Sequence, residues 1–310
     1  MAELIAQHGA GTTASQATRP PEPRMLAARQ VASTFAAEVP DMPVHGDISP
    51  ELLNQFVSLL HRYRVLVIPG VRVEPADLVA FSRRFGPLEI HSRFDNTLPA
   101  HREIFCVGNV ERDGMKASFA RGVEQWHADS SYREIASDAS LFHGVIVPEE
   151  GGETLFADAT AAYRTLAPEM RARIDGLYAV HSLDTLRAWG DRHNPDRPPQ
   201  PSNQTAAFPP MRQPLVRVHP ATGARSLYVC PAVISHIEGL ESEESRNLIE
   251  TLIQHATQPR FVYKHRWGTD DLVMWDNRAV LHTASLFDHT RYQRLMYRTT
   301  VAGGAPALAI

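Results

Sequence analysis

Cysteine is scarce: Cys106 and Cys230 are the only two in 310 residues, too few for a disulfide framework and without the paired spacing of a structural zinc site. Long apolar runs are missing too; none reaches the roughly 20 residues that span a bilayer. No charge of one sign dominates, since 31 Lys and Arg face 35 Asp and Glu for a net charge of −4. Without a basic balance or a block of like charges, neither nucleic acid nor a membrane is expected as a partner. The opening segment MAELIAQHGAGTTASQATRPPEP carries Glu3 and has no basic n-region or apolar h-region, so no signal peptide is expected. Together these absences predict a soluble protein of the reducing cytoplasm.

A hydrophobic fraction of 43% and a charged fraction of 21% describe an ordinary globular chain. Residues 1–24, rich in Ala, Thr, Gln and Pro, are expected to form a mobile tail. No repeat or linker divides the remainder, so residues 25–310 are expected to form one domain. Ser49-Pro50-Glu51 reads as a cap with proline at the first helical position, opening an amphipathic helix through Leu52, Phe56, Leu59 and Leu60. A strand over Val65–Ile68 and a helix over Pro75–Phe85 follow. Further helices are expected at Asp158–Leu166, Pro168–Ile174 and Glu241–Thr257.

Strand signals dominate elsewhere: Ile104–Val110, Leu141–Val147, Thr154–Ala157, Tyr178–His181, Leu215–His219, Ser226–Val229, Arg260–Arg266, Leu272–Trp275 and Arg294–Val301. Short strands separated by turn residues predict a mainly β sandwich or barrel with flanking helices. The proline-rich stretch from Ser182 to Pro214 shows no period. It reads either as a lid over an active site or as a surface loop.

Two histidines and one carboxylate on one face hold iron(II) and leave positions open for a co-substrate and O2. His-x-Asp on a strand builds part of such a site, because side chains two apart share a face. His127-Ala128-Asp129 has this form, as does His45-Gly46-Asp47, and His101-Arg102-Glu103 is the glutamate version. With 15 histidines and 35 acidic residues, roughly two such triplets arise by chance. His45 precedes a helix cap, where Gly and Asp make ordinary turns, and His101 and Glu103 enter a strand from a polar stretch. In GVEQWHADSSY, by contrast, Trp126 and Tyr132 surround the triplet and hydroxyl residues follow. That segment alone is equally explained by a core histidine bonded to an aspartate. A third ligand is offered by His282 in DLVMWDNRAVLHTAS, while His219, His236 and His265 also lie near strands.

Arg294, Met296 and Arg298 alternate with Leu295 and Tyr297. On a strand both guanidinium groups share a face, either toward solvent or toward an interior where they must meet anions. A bidentate arginine with a nearby hydroxyl such as Thr154 would match the distal carboxylate of 2-oxoglutarate. The second arginine would then hold an anionic primary substrate.

WHADSSY, GGETLFADATAAYRTL, HIEGL, HATQPRFVYKHRWGTDDLVMWDNRAVLH and RLMYRTTVAG, in this order, resemble the taurine dioxygenase and 2,4-dichlorophenoxyacetate dioxygenase family. The resemblance runs from about Asp47 to Gly303. It implies a double-stranded β-helix, the cupin-like jelly roll, with helices packed outside. It implies Fe(II), 2-oxoglutarate and O2 as cofactor and co-substrates, with His127, Asp129 and His282 on the metal. The 2-oxoglutarate residues of the family fall on Thr154 and Arg294, and its substrate arginine on Arg298. His91 matches a substrate-contacting histidine, Phe94 stands where the taurine enzyme has a tyrosine, and Val123 where it has an asparagine. An apolar substrate body with an anionic end follows, and the C-terminal motifs look closer to the phenoxyacetate branch. The expected substrate is an aryloxy or aryl carboxylate, hydroxylated with release of succinate and CO2, with an alkyl sulfonate or sulfate next. The resemblance allows association into homo-oligomers. A zinc hydrolase built on the same triad, or a non-catalytic jelly-roll binding protein, are the alternatives of another class; neither gives a reason for paired arginines.

Overall fold

The computed structural model describes residues 25–90, 96–112, 114–119, 124–193, 208–304. Its main element is a nine-stranded sheet. Through its centre run Val65–Ile68, Leu272–Asp276, Ala139–Ile146, Leu295–Val301 and His101–Gly108, each antiparallel to the next. A three-stranded antiparallel sheet places Thr154–Asp158 between Val262–His265 and Val280–Ala284. Another sets Tyr178–His181 between Met211–Pro214 and Ile234–Ile237.

Helix Pro50–Tyr63 starts as its sequence dictates: the Ser49 side chain accepts from the Leu52 amide and Pro50 opens the first turn. Such a cap stabilises by about 1 kcal/mol. The helix buries Leu52, Phe56 and Leu60, and helix Pro75–Arg83 buries Leu78 and Phe81, in one core with Ile104, Leu141 and Met274 of the large sheet. Helix Ser242–Ala256 places Leu248, Leu252 and Ile253 with Ala161 of helix Ala159–Thr165 and Leu281 in a second core. A third, aromatic cluster of Phe105, Phe142, Phe156, Trp267 and Trp275 draws on both sheets. The chain is thus mainly β with flanking helices. No helix among the described residues is long and apolar enough to cross a membrane.

Strand Leu295–Val301 decides which way the arginines face. Leu295, Tyr297 and Val301 enter the core shared with the helices, so period-two alternation turns Arg294, Met296 and Arg298 to the opposite face. Met296 is fully buried and Arg294 is 3% exposed. The solvent-face reading of this strand is therefore corrected: both faces are covered. The Ser182–Pro214 stretch also differs from expectation, because it contains a helix over Leu183–His193 and a strand over Met211–Pro214. The helix pattern was masked by polar residues: only Gly190 of that helix is buried. Residues 194–207, the tail 1–24 and the predicted substrate contacts His91, Phe94 and Val123 lie outside the described residues.

Candidate metal and co-substrate site

His127 and His282 meet through an isolated antiparallel bridge in which each backbone amide donates to the other's carbonyl, at 3.0 and 2.8 Å. Their rings stand 4.2 Å apart between centroids. His282 belongs to strand Val280–Ala284, which is paired with Thr154–Asp158. His127 is in no strand; its segment is a single bridge followed by a turn in which Ser130 has φ 56°. The His-x-Asp geometry expected of a strand is thus delivered by a bridge and a turn. Asp129 is 6% exposed. Its carboxylate lies 4.0 Å from His127 Nε2 and 3.8 Å from His282 Nε2. One ligand atom from each residue falls within 4.8 Å of the others, a set that could hold a metal ion.

The protonation states suit that task. His127 Nδ1 lies 2.6 Å from the Gln125 carbonyl oxygen; donation to that acceptor leaves the Nε2 lone pair free. Burial, and then the neighbouring His127, push His282 down to about 3, so its imidazole is neutral. For Asp129, burial would favour the protonated form. The Arg298 guanidinium, with a hydrogen bond from Ser140, overcomes it and holds the carboxyl well below the usual range. Arg298 Nη1 donates to Asp129 Oδ1 at 2.9 Å, and Ser140 Oγ donates to Oδ2 at 2.7 Å.

His61, His219 and Asp276 form a second group whose ligand atoms also lie within 4.8 Å of one another. Two of its members, His219 and Asp276, are already engaged. His219 Nδ1 accepts the amides of Ala221 and Thr222, both at 3.2 Å, so Nε2 carries the proton and donates it to Asp276 Oδ2 at 2.8 Å. Arg278 holds both oxygens of Asp276, through Nε and Nη2 at 2.8 Å. This group is a structural strut.

A cavity of about 220 Å³ opens over the first group and is also lined by Thr154, Arg294 and Arg298. Arg294 Nε and Nη2 are buried with no hydrogen-bond partner among the described residues. Burial lowers this guanidinium to about 10. Two glycines border this residue: a Cβ at Gly108, φ +146°, would lie 1.9 Å from the Arg294 backbone carbonyl oxygen, and one at Gly152, φ +71°, would lie 3.5 Å from Arg294 Nε. Thr154 Oγ1 accepts from Trp267 Nε1 at 3.0 Å, which leaves the hydroxyl proton to be donated elsewhere. An unpaired buried cation beside a spare hydroxyl donor is a site for a carboxylate. Arg298 Nε is likewise buried without a partner.

The predicted Thr154, Arg294 and Arg298 are thereby brought to one cavity with His127, Asp129 and His282. Tyr132, expected beside the triplet, lines the cavity, and other lining residues were not anticipated: Phe105, Leu186, Trp189 and Val233 complete the apolar wall, and Glu89 and Arg133 lie at 3.4 Å from one another. Burial raises the Glu89 carboxyl against the pull of Arg133 and the Ser130 hydroxyl. Asn277 and Ser140, which surround Asp129, were also missed, although WDN lies close before His282 in the sequence.

The taurine catabolism dioxygenase TauD, TfdA family matches residues 27–300. The alpha-ketoglutarate-dependent 2,4-dichlorophenoxyacetate dioxygenase of Cupriavidus pinatubonensis is 36% identical over 278 residues, covering 86% of this chain and 94% of that protein. The (S)-phenoxypropionate/alpha-ketoglutarate-dioxygenase of Sphingobium herbicidovorans is 34% identical over 251 residues, covering 78% and 83%. Among solved structures, AAD-2 in complex with Mn(II) and N-oxalylglycine superposes with a TM-score of 0.76 at 32% identity, over 91% of this chain and 99% of that one.

Proposed function

This chain belongs to the taurine catabolism dioxygenase TauD, TfdA family and is a 2-oxoglutarate-dependent non-haem iron dioxygenase, an oxidoreductase; on that premise we propose that it hydroxylates an aryloxy or aryl carboxylate. His127, Asp129 and His282 would hold the iron. Two imidazoles and a carboxylate are the donor set that iron(II) takes while keeping positions open, and these residues fit it. The buried, unpartnered Arg294 is the single observation that carries the reading. A zinc hydrolase or a plain binding protein has no use for it, whereas the distal carboxylate of 2-oxoglutarate satisfies it together with Thr154.

With iron bound, the site gains O2 activation coupled to oxidation of 2-oxoglutarate to succinate and CO2. The protein's own part is binding, orientation and exclusion of water. Arg294 and Thr154 fix the co-substrate by its far end. Arg298 offers donors beyond the one engaged by Asp129 and would take the substrate carboxylate, setting which carbon faces the metal. Phe105, Tyr132 and Trp189 supply an apolar wall suited to an aryl group and unfavourable to water. The two sheets are assigned as the halves of a jelly roll within one domain of residues 25–310. Cys106 and Cys230, both buried and neither in a disulfide, support a cytoplasmic setting.

The decisive experiment is a panel of aryloxyacetates, arylpropionates, alkyl sulfonates and sulfate esters, scored by substrate-dependent succinate release. Release with the aryl carboxylates is expected. Release confined to sulfonates or sulfates would overturn the substrate assignment and leave the reaction class intact. Turnover supported by zinc alone would overturn both.

A further inference from the structure

Behind Asp129 lies a closed hydrogen-bond network that no catalytic step uses. Asn277 is 1% exposed, and Ser137 and Ser140 are fully buried. Asn277 Oδ1 accepts the backbone amide of Asp129 at 3.2 Å and the indole Nε1 of Trp275 at 2.9 Å. Its Nδ2 donates to Ser137 Oγ at 3.1 Å and Ser140 Oγ at 3.0 Å. Both Oδ1 partners can only donate, so the amide has one allowed orientation. With their oxygens receiving Asn277 protons, both serines must send their own protons onward. Ser137 gives its proton to the Asp129 carbonyl oxygen at 3.0 Å, and Ser140 gives its proton to Asp129 Oδ2 at 2.7 Å.

We infer that Asn277 is a positioning residue for the metal carboxylate, acting through Ser140 to fix the rotamer of Asp129 and to reserve one lone pair of Oδ2. The inference rests on the reading that Asp129 is a metal ligand. Three bonds of this amide lead to Asp129, one directly to its N–H and two through Ser137 and Ser140 to its C=O and its Oδ2, so the residue cannot turn without breaking them. Register supports the same design: Ser140 is paired with Trp275 across neighbouring strands, which places the hydroxyl beside the indole that Asn277 also holds. Hydrogen bonds of this kind outside the ligand set govern metal affinity, and losing one weakens binding roughly 10- to 100-fold. An asparagine that merely filled the core would leave metal affinity alone.

The test titrates Mn(II) into chelator-treated protein by calorimetry and records the Co(II) visible spectrum of each variant, with thermal unfolding in chelator as the check on folding. Ser140→Ala removes the donor to Oδ2 and leaves both N–H bonds to Asn277 Oδ1 in place. Asn277→Asp keeps the acceptor and replaces two N–H donors with at most one O–H. Both are expected to weaken Mn(II) roughly tenfold or more and to change the Co(II) ligand-field bands while the metal-free protein stays folded. If Asn277→Asp does not fold, Ser140→Ala decides alone. A folded Ser140→Ala that binds Mn(II) within twofold of the wild type, with the same Co(II) spectrum, overturns the inference and leaves the proposed function standing. If the wild type binds Mn(II) no better than Asp129→Ala, the metal assignment itself falls and takes this inference with it.

Discussion

Among the described residues, two groups of two histidines and one aspartate bring their ligand atoms within 4.8 Å of one another, and they differ in how far their surroundings have already engaged those atoms. His219 has both ring nitrogens engaged, and Asp276 has both oxygens held by Arg278. His127 has one nitrogen on a carbonyl and one free, while His282 is neutral by burial. The two arginines repeat the contrast. Arg278 is buried against Asp276, whose hydrogen bonds raise its pKa even though burial opposes its charge; Arg294 Nε and Nη2 are buried with no hydrogen-bond partner among the described residues. Residue type and proximity therefore do not make a site. What matters is which lone pairs and protons the surroundings have already taken.

The sharpest way to break this comparison is to truncate one member of each group. Asp129→Ala and His282→Ala are expected to abolish Mn(II) binding and to reduce succinate release by about 1,000-fold or more. His219→Ala should leave Mn(II) affinity within twofold and lower stability by about 1–3 kcal/mol, since Asp276 loses a buried partner. Metal binding that survives in the first pair and disappears in the third would reverse the assignment. The arginines give the next largest effect. Arg294→Ala should weaken 2-oxoglutarate by roughly 100-fold at unchanged Mn(II) affinity, as expected for truncating one partner of a buried charge pair. Arg278→Ala should instead destabilise the fold by about 3–5 kcal/mol, because Asp276 is left as an uncompensated buried charge. Equal 2-oxoglutarate affinity in Arg294→Ala would show that the co-substrate sits elsewhere.

Much of this was legible in the sequence, for reasons that differ by element. Helix Pro50–Tyr63 was written in Ser49-Pro50 and its apolar spacing, and strands Val65–Ile68 and Tyr178–His181 in short β-branched or aromatic runs between turn residues. His127, Asp129 and His282 became convincing through the order of motifs, since His-x-Asp also occurs by chance. The facing of Arg298 was not legible: alternation says that Arg294 and Arg298 share a face, and only the second sheet says that the face is covered. Helix Leu183–His193 was missed because it buries only Gly190 fully and so shows no strong apolar stripe. Asn277 was missed because its importance lies in three bonds to Asp129, Ser137 and Ser140, far away in sequence.

A third buried histidine extends the comparison to a ring with neither metal nor carboxylate. His181 is fully buried, both of its nitrogens lack partners among the described residues, and its ring stacks on Tyr228 at 5.3 Å. Burial, reinforced by Arg217, lowers it to about 3 from an ordinary 6.5. A depressed histidine pKa means that the unfolded chain binds the extra proton first. Its contribution to stability is therefore present above about 6.5 and is lost as pH falls toward 3. Between pH 7 and pH 5 this amounts to about 2 kcal/mol. His181→Phe, which keeps the stacking, should flatten the stability profile across that window in denaturant titrations. An unchanged acid slope would show that His181 finds a partner in solution.

The smallest expected effect tests the idea most finely, because it changes which proton is free and leaves the charged groups in place. Thr154 is the hydroxyl counterpart of the two triads: Trp267 donates to its oxygen, and that bond leaves the hydroxyl proton for an anion. Trp267→Phe removes the indole N–H while retaining an aromatic ring beside Phe142, with which Trp267 now packs edge to face at 5.5 Å. Freed of this donor, Thr154 can turn its proton away from the co-substrate. One neutral hydrogen bond is worth about 1 kcal/mol, so 2-oxoglutarate affinity should fall roughly fivefold while Mn(II) affinity stays constant. Adding Thr154→Val to Trp267→Phe should then cost little more, since both changes remove the same oriented proton. Additive losses in that double-mutant cycle would mean that Trp267 acts by packing alone, and the orientation argument for Thr154 would fall.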